Sequence, residues 1–445
     1  MNSGVHVTVF LLAFTALGIG PAAAQSPKRP FRGLFGGAQS MSTRGQMVDL
    51  SMSAFVGWDQ PQTQIEPLDS TTDNRTLVPG PYSGGSGSLS YTHPGEHFEF
   101  NGNGSAFTGY FPDNNEDPWY QSYSGAGSLS WRTDLTRRTH FHFSQTASAS
   151  TDYHVGALLG TGIGGGSLGT SFDNSLIQEP AMNTQSAADL SYDLSMKSSF
   201  SLSYGFQYHH FFNDDGFPDT GVHSAGAHYT HRLTKNLGYH LGYGYDHPVE
   251  FGGPPLRGIH NIDAGLDYSR ALSLTRTTKV GFGVGTTVAT ASQVQDGQTS
   301  FSSPRLYGVG HVTLTQELGQ SWNFNAFYNR GINYDPGFTQ PTLSDTTGAA
   351  LSGLISRHLD VSLSALYQVG RIGLTTPNYR SWDASAQIRS AISRNIAAYA
   401  LYYYYLSDLS AGVAVPIGAP RYVDRNGVRV GITAWLPLWY GRGAP

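Results

Sequence analysis

The chain has 445 residues, of which only 13% are charged and 39% are hydrophobic, with 55 Gly, 26 Tyr and no Cys. The charged share is about half that of typical globular proteins. The formal net charge of −5 does not indicate the basic surface that a nucleic-acid-binding protein needs. The mean hydropathy of −0.27, with no mature apolar run of about 18 residues, excludes a helical membrane protein. If the chain spans a membrane, it does so with β-strands.

The N-terminal segment has the features of a secretory signal peptide. Residues 5–20 form an apolar run too short to span a membrane, and Ala22 and Ala24 give an A-x-A-like cleavage site. The residues before the apolar run include His6 but no Lys or Arg, which departs from the usual pattern. We expect residues 1–24 to be a signal peptide, residues 25–46 a flexible periplasmic segment and residues 441–445 a C-terminal tail.

Strands are predicted where apolar residues occupy alternate positions. The first predicted strand spans residues 48–58 and is followed by a long loop over residues 59–84. Four more strands are predicted over residues 88–93, 98–110, 120–131 and 139–149, and the largest loop follows at 150–184. Its Gly-rich run, residues 160–166, lacks the Lys-Ser/Thr pair and the strand-to-helix context of a phosphate-binding loop. We interpret this run as a flexible loop at the mouth or inside the bore.

Residues 185–246 show the repeating unit most clearly. Apolar residues alternate with polar ones over 188–196, and the pattern resumes over 200–208 after the short turn 197–199. A long polar loop follows at 213–219, then another strand, the short turn 234–236 and a strand over 237–245. Alternation of short turns with long loops is typical of outer-membrane barrels, whose periplasmic turns are short.

The same alternation continues to the C-terminus. Short turns are predicted near residues 271–276, 316–320, 356–359 and 393–395, and long loops over 246–258, 290–304, 335–345, 374–378 and 407–424. The predicted fold is therefore all-β, a transmembrane antiparallel up-and-down β-barrel of about 18 strands (16–18) over residues 47–440.

The turns and the final strand resemble those of bacterial outer-membrane β-barrel proteins, the porin-like superfamily. The resemblance is carried by the turns at 134–138 and 231–237 and by alternate apolar residues from Val428 to Tyr440. It implies a location in the bacterial outer membrane, contact with its lipids and lipopolysaccharide, and assembly by the barrel assembly machinery. Such barrels usually end on their last aromatic residue, whereas residues 441–445 follow it here. A homo-oligomer stays open, and no cofactor is expected.

A barrel of this strand number is too wide for side chains to fill, so a water-filled bore is expected. Polar residues opposite the apolar stripes are the candidate lining residues, although alternation alone already requires polar residues there. These candidates are Asp189, Asp193, Gln207, His209, Asn323, Asn325, Asn329, Asp360, Ser362, Gln368, Asp383, Gln387, Arg389 and Arg429. Aromatic residues near strand ends, such as Trp58, Tyr110 and Trp382, suit the interfacial girdles of a barrel.

Two groups of side chains contain the residue types of catalytic or metal-binding sites. His142 and Ser144 share one face of a strand, as in the His-x-Ser pair of outer-membrane lipases and lipid A deacylases, where His is the base and Ser the nucleophile. The sequence identifies no third, orienting residue. His209, His210, His223, His228 and His231 lie on two neighbouring strands, but their spacing matches no closed metal site. We therefore assign no catalytic residue and no metal, and we expect the protein not to be an enzyme.

The leading hypothesis is a channel for passive or weakly selective passage of small polar solutes or ions. Two alternatives stay open: a structural or export-partner barrel of a polysaccharide secretion system, and a barrel lipid hydrolase. Conductance, genomic neighbourhood and loss of activity on substitution of His142 or Ser144 would distinguish them. A non-membrane propeller would show blade repeats, and the sequence contains none.

Overall fold

The computed structural model describes residues 46–64, 79–112, 119–151, 180–212, 219–251, 258–271, 278–289, 292–295, 298–301, 303–319, 321–334, 341–374, 379–409 and 421–440. The expected signal peptide, the Gly-rich run 160–166 and the tail 441–445 lie outside these residues. Within the described parts of the chain, no helix combines the length and the apolarity needed to cross a bilayer.

The described chain forms twenty β-strands, eighteen of which make one closed antiparallel sheet. The strands are β1 (Met47–Gln64), β2 (Gly80–Pro94), β3 (Phe98–Pro112), β4 (Trp119–Asp134), β5 (Thr139–Ser150), β6 (Ala181–Asp193), β7 (Ser198–Phe211), β8 (Thr220–Arg232), β9 (Leu237–Glu250), β10 (Ile259–Ala271), β11 (Thr278–Ala289), β12 (Ser292–Gln295), β13 (Gln298–Phe301), β14 (Arg305–Leu318), β15 (Trp322–Tyr334), β16 (Pro341–Ser356), β17 (Leu359–Ile372), β18 (Tyr379–Ala391), β19 (Ile396–Leu409) and β20 (Tyr422–Tyr440). The hairpin β12–β13 is a separate two-stranded sheet within the connection from β11 to β14. The predicted barrel of about 18 strands is confirmed.

The barrel is closed by its first and last strands. β1 pairs with β2 on one side and with β20 on the other, from Met47 opposite Tyr440 to Gln64 opposite Tyr422. One irregularity in this register lies between Val48 and Asp49. Closure matters because the backbone groups of an open sheet edge would lack partners in hydrocarbon.

Four of the short turns each contain a Ser or Thr hydroxyl that accepts hydrogen bonds from the following backbone N–H groups. Thr136, Ser195, Thr234 and Ser393 each accept from the residue two positions ahead, at 3.1–3.3 Å. The first three also accept from the residue three positions ahead, at 3.0–3.1 Å. Ser and Thr hydroxyls used in this way replace ladder bonds and end strands.

This turn chemistry corrects one predicted boundary. The alternation of apolar residues was extended to residue 196, but β6 ends at Asp193, and Leu194 and Met196 lie in the turn. Met196 is fully exposed there. The prediction was wrong because the Ser195 hydroxyl, which binds the N–H groups of Lys197 and Ser198, outweighs the strand-like spacing of Leu194 and Met196.

The strands also extend further toward the long loops than the apolar pattern predicts. The predicted loop 59–84 is shortened at both ends, since β1 continues to Gln64 and β2 begins at Gly80. β9 likewise continues to Glu250, β16 begins at Pro341 and β20 begins at Tyr422. The predicted loop 290–304 contains the hairpin β12–β13. Backbone pairing does not require an apolar face, so these extensions carry no alternation signal that a sequence pattern could detect.

The outward face of the sheet is apolar around the circumference. Large exposed side chains on this face include Met52, Val56, Leu202, Leu241, Val284, Val312, Leu363, Ile388, Val430 and Ile432. Trp58, Tyr110 and Trp382 are also exposed, near the strand ends that lead to the long loops. A continuous exposed apolar surface of this kind, with aromatic residues toward its edge, is the lipid-facing belt of a membrane barrel.

We predict that an outward charge impairs folding into a bilayer and that the neighbouring inward charge does not. Val312, the eighth of the fourteen residues of β14, is 45% exposed on the outward face, and Thr313 is exposed on the inward face. Val312→Arg should lower the free energy of unfolding in lipid vesicles by about 2–4 kcal/mol. Thr313→Arg is the matched control, and urea titration followed by tryptophan fluorescence measures both. Equal losses for the two variants would contradict the assignment of the faces.

Candidate functional site

The strand registers place all the candidate lining residues on one face, opposite the exposed aliphatic belt. Directly paired residues share a face, and the registers connect Asp189 to Ser203, Gln368 to Ser381 and Arg429 to Leu401. The face holds Asp189, Asp193, Gln207, His209, Asn323, Asn325, Asn329, Asp360, Ser362, Gln368, Asp383, Gln387, Arg389 and Arg429. Because seven of the eight largest fully buried side chains also lie on this face, with Leu343 as the exception, it is the inward one.

These candidates do not have equal access to solvent. His209, Asn329, Asp360 and Gln368 are buried, whereas the Asp189 and Asp193 side chains are 41% and 49% exposed. Strand periodicity gives the face of a residue but carries no information on how neighbouring side chains cover it. The four buried side chains are therefore covered by neighbouring residues of the barrel, whereas the carboxylates of Asp189 and Asp193 are exposed on the inward face.

A packed group of inward side chains, which we call the arginine–aromatic cluster, lies on five adjacent strands from β19 through β20 and β1 to β3. Its members are Phe55, Asp59, Tyr82, Phe107, Phe111, Tyr403, Arg425 and Arg429. Arg425 and Asp59 are 0% and 2% exposed and form a two-pronged ion pair, with Arg425 Nε 3.0 Å and 2.9 Å from the two Asp59 carboxylate oxygens. The Tyr403 hydroxyl donates to the same carboxylate at 3.0 Å.

The second arginine of the cluster lies against aromatic rings. The Arg429 guanidinium carbon is 4.0 Å from the ring centroid of Phe55, and its Nε donates to the Tyr82 hydroxyl at 3.2 Å. Phe55 in turn stacks on Phe107, with centroids 5.7 Å apart. A guanidinium over an aromatic face is attracted by the ring quadrupole, so Arg429 is held against the wall.

Inward-facing glycines allow these rings to lie flat on the sheet. A Cβ at Gly57 would be 2.5 Å from the Tyr82 ring, and one at Gly84 would be 2.6 Å from the Phe55 ring. The rings cover the glycine backbone as in aromatic rescue of strand glycines. The cluster therefore thickens this part of the wall, in the half of the barrel nearest the long loops.

A second group, which we call the histidine–carboxylate wall, lies on β4 to β10 in the half nearest the short turns. His140 Nδ1 is 2.6 Å from Asp134 Oδ1, and its Nε2 is 3.5 Å from Asp193 Oδ2. The other pairs are His142 with Asp189, at 3.6 Å, and His240 with Asp267, at 2.7 Å. His228 stacks on His240 with ring centroids 5.3 Å apart.

A third inward pair lies on β17 and β18, again near the short turns. Arg389 donates from Nε to Asp360 Oδ1, at 3.2 Å, and from Nη2 to Asp360 Oδ2, at 2.8 Å. This is the bidentate geometry that Arg and carboxylates favour. Both residues were predicted to line the bore, but the sequence did not indicate that they neutralise each other.

The hydrolase hypothesis placed a catalytic pair at His142 and Ser144. Both face inward, away from the lipid belt, and the serine bonded to His142 is Ser130, whose Oγ is 3.2 Å from His142 Nε2. Asp189 lies on the other side of the imidazole, with its Oδ2 3.6 Å from His142 Nδ1. The arrangement around His142 is therefore Ser130–His142–Asp189 on the inward face, which differs from the predicted pairing of His142 with Ser144.

The five histidines considered in the sequence as possible metal ligands are divided between the two faces of the sheet. His209 and His228 face inward, whereas His210, His223 and His231 face outward, because the strands alternate. His210 binds Asp219 at 2.8 Å, and His223 binds the Tyr204 hydroxyl at 2.9 Å. Among the described residues, no three His, Asp or Glu side chains converge in a way that could hold a metal ion.

The sequence did not indicate many members of the arginine–aromatic cluster and of the histidine–carboxylate wall. Asp59 was placed in a loop, and Arg425, Tyr403, Asp134, His140, His240 and Asp267 were not proposed as lining residues. A signal existed for Arg425, because it lies four residues before Arg429 and therefore on the same strand face. No signal existed for the Asp59–Arg425 pair, whose members are 366 residues apart in the chain.

Comparisons with known proteins give similarity of overall structure only. No protein family model matches the chain, and no curated protein matches it in sequence. The solved structures of OpdL and OccK7 (OpdD) from Pseudomonas aeruginosa match with TM-scores of 0.40 and 0.41 and identities of 12% and 10%, each covering 88% of this chain and 99% of theirs. OccAB4 from Acinetobacter baumannii matches with a TM-score of 0.40 and 10% identity, covering 89% of this chain and 99% of its own. The architecture itself, a closed barrel with an apolar belt, is that of an outer-membrane β-barrel.

We predict that the Asp59–Arg425 pair is required for stability. Asp59→Ala leaves a buried guanidinium without its carboxylate and should cost about 3–5 kcal/mol of unfolding free energy. The double variant Asp59→Ala/Arg425→Met removes both charges and should recover most of that loss. Urea unfolding in lipid vesicles is the measurement.

The outward pair Arg380–Asp408 provides the matched control. Its side chains are 58% and 31% exposed, so Asp408→Ala should cost about 1 kcal/mol or less. If Asp59→Ala cost no more than Asp408→Ala, the arginine–aromatic cluster would not be a stabilising element.

Proposed function

We propose that this protein is a channel of the bacterial outer membrane that passes small polar solutes or ions by diffusion. The observation that supports this most directly is the separation of the two faces, apolar outside and polar inside, on a closed sheet of eighteen strands. Barrels of 16–18 strands are wide enough to leave an aqueous channel. The short turns would lie in the periplasm and the long loops outside.

The inward face also supplies groups suited to weak interaction with solutes. Exposed carboxylates at Asp189 and Asp193, and the exposed amide at Asn325, can replace part of the hydration of a passing solute. In the part of the chain that the structure describes, no three His, Asp or Glu side chains converge on a point that could hold a metal ion, which fits weak selectivity better than tight capture of a cation.

Substituted cysteines test the proposal cleanly because the chain contains no native cysteine. Asn325 is exposed on the inward face, and its neighbour Ala326 lies on the outward face. We predict that a charged, membrane-impermeant methanethiosulfonate reagent reduces the single-channel conductance of Asn325→Cys, because the adduct projects into the conducting path. The conductance of Ala326→Cys, the matched control, should not change.

The same recordings separate this function from its alternative. A correctly folded wild-type barrel that conducts no ions would contradict the channel proposal and favour a structural or export-partner barrel. Conductance that responds equally at both positions would show that the ion path does not follow the inward face.

A further inference from the structure

The inward carboxylates pair with either arginine or histidine. The histidine partners are found in the histidine–carboxylate wall, and the arginine partners are found outside it. In the ion pairs that the structure describes, Asp59 and Asp360 bind arginines, whereas Asp134, Asp189, Asp193 and Asp267 bind histidines. An arginine is charged at any pH that a protein meets, whereas the charge of a histidine changes between pH 5 and 8. The arginine-paired carboxylates are thus neutralised permanently and the histidine-paired ones conditionally.

We propose that the histidine–carboxylate wall makes the ion selectivity of the channel depend on pH, with cations preferred more strongly above neutrality than in acid. The inference rests on the proposed channel function. On deprotonation of the imidazoles, the carboxylates of the wall outnumber the nearby arginines, so the wall is net negative and concentrates cations. On protonation, the imidazolium charges outweigh this excess, and the preference shifts toward anions.

The charges facing these imidazoles can be named strand by strand. Around His140 and His142 lie Arg132 and Asp134 on β4 and Asp189 and Asp193 on β6, and His97, in the turn between β2 and β3, interacts with Asp134. His240 faces His228 on β8 and Asp267 on β10, and His311 lies beyond Asp267 across β11. Arg232 is at the short-turn end of β8 on the same face. Other fixed charges nearby are Lys279, Glu317 and Glu99, on the inward faces of the flanking strands, with Arg138, Lys197 and Lys235 in the short turns.

The inward side chains of β4 to β10 in this half give the size of the change. Among the inward side chains that the structure describes here, four carboxylates (Asp134, Asp189, Asp193 and Asp267) and two arginines (Arg132 and Arg232) give a net charge of −2 with neutral imidazoles. Protonation of His140, His142, His228 and His240 adds four charges and brings the sum to +2. Carboxylates ordinarily stay ionised at pH 5, and the Lys and Arg residues named above stay charged, whereas protonation of the nearby His311 adds to the change. A change of four charges on one side of the bore alters the local concentrations of cations and anions in opposite directions.

The exposure of these groups allows the change without unfolding the barrel. The side chains of Asp189, Asp193 and Asp267 are 41%, 49% and 48% exposed, and those of His140 and His142 are 29% and 22% exposed. Water can solvate either charge state at such positions, so protonation does not bury an unpaired charge. His240 is 7% exposed, but it contacts the exposed Asp267 carboxylate directly.

Reversal potentials of the purified full-length protein in planar bilayers, under a KCl gradient at pH 8 and at pH 5, test the proposal. The ratio of potassium to chloride permeability of the wild type should fall about twofold or more from pH 8 to pH 5. The triple variant His140→Gln/His142→Gln/His240→Gln should lose most of that fall and keep the pH 8 ratio in acid.

The matched control substitutes three outward-facing histidines, His223→Gln/His247→Gln/His260→Gln, and should behave as the wild type. If the triple inward variant does not fold, the single variant His142→Gln should show a smaller but measurable reduction of the pH effect. A wild-type ratio that does not change with pH, or an inward variant that changes as much as the wild type, would overturn the inference and leave the channel function intact. A folded barrel with no conductance at either pH would instead overturn the proposed function.

Discussion

The pairing of β20 with β1 is the constraint on which the other features of this protein depend. In hydrocarbon no water replaces a missing hydrogen bond, so each strand needs a partner on both sides, and the first and last strands can find one only in each other. The register between them runs the full length of β1, from Met47 to Gln64, with one irregularity near the short-turn end. The chain must therefore bring together segments separated by nearly its whole length, which is a large loop-closure entropy cost that the hydrogen bonds and the apolar belt offset.

Closure also determines which face of each strand is wet. Paired residues share a face, and a register carried through eighteen strands and back to the first must keep that face constant. The seam is where this requirement is strictest, and the arginine–aromatic cluster lies across it: Asp59 comes from β1, Arg425 from β20 and Tyr403 from β19. A slip of one residue between β1 and β20 would turn Asp59 or Arg425 toward lipid. We infer that this buried ion pair specifies the register of the seam as well as stabilising it.

The sequence predicted the architecture well because the lipid belt imposes a strict two-residue period on every strand. The strand number, the alternation of turns and loops, and the inward orientation of residues such as Asp189 and Arg429 all follow from that period. The two-residue period is lost in segments that do not face lipid, at the ends of the strands and in the turns. The ends of β1 and β2 toward the long loop were therefore predicted as loop, and Leu194 and Met196 were predicted as strand although Ser195 makes a turn there. Partners across strands, such as Arg389 with Asp360, depend on register and rotamer, which a single sequence does not encode locally.

Burial explains why two types of cation compensate the inward carboxylates. Arg425 and Asp59 are excluded from water, so loss of either charge would leave the other buried and unpaired. A histidine in place of Arg425 would lose its charge as the pH rises and would leave Asp59 unpaired above neutral pH. The arginine avoids this because it does not deprotonate. Asp189 and Asp193 instead remain in contact with the water of the bore, where the charge of the partner has little effect on folding. Histidine is therefore tolerated as the partner of a solvent-exposed carboxylate, whereas a buried carboxylate requires arginine. The charge of the bore can then vary with pH, while the charges of the Asp59–Arg425 pair at the seam stay fixed.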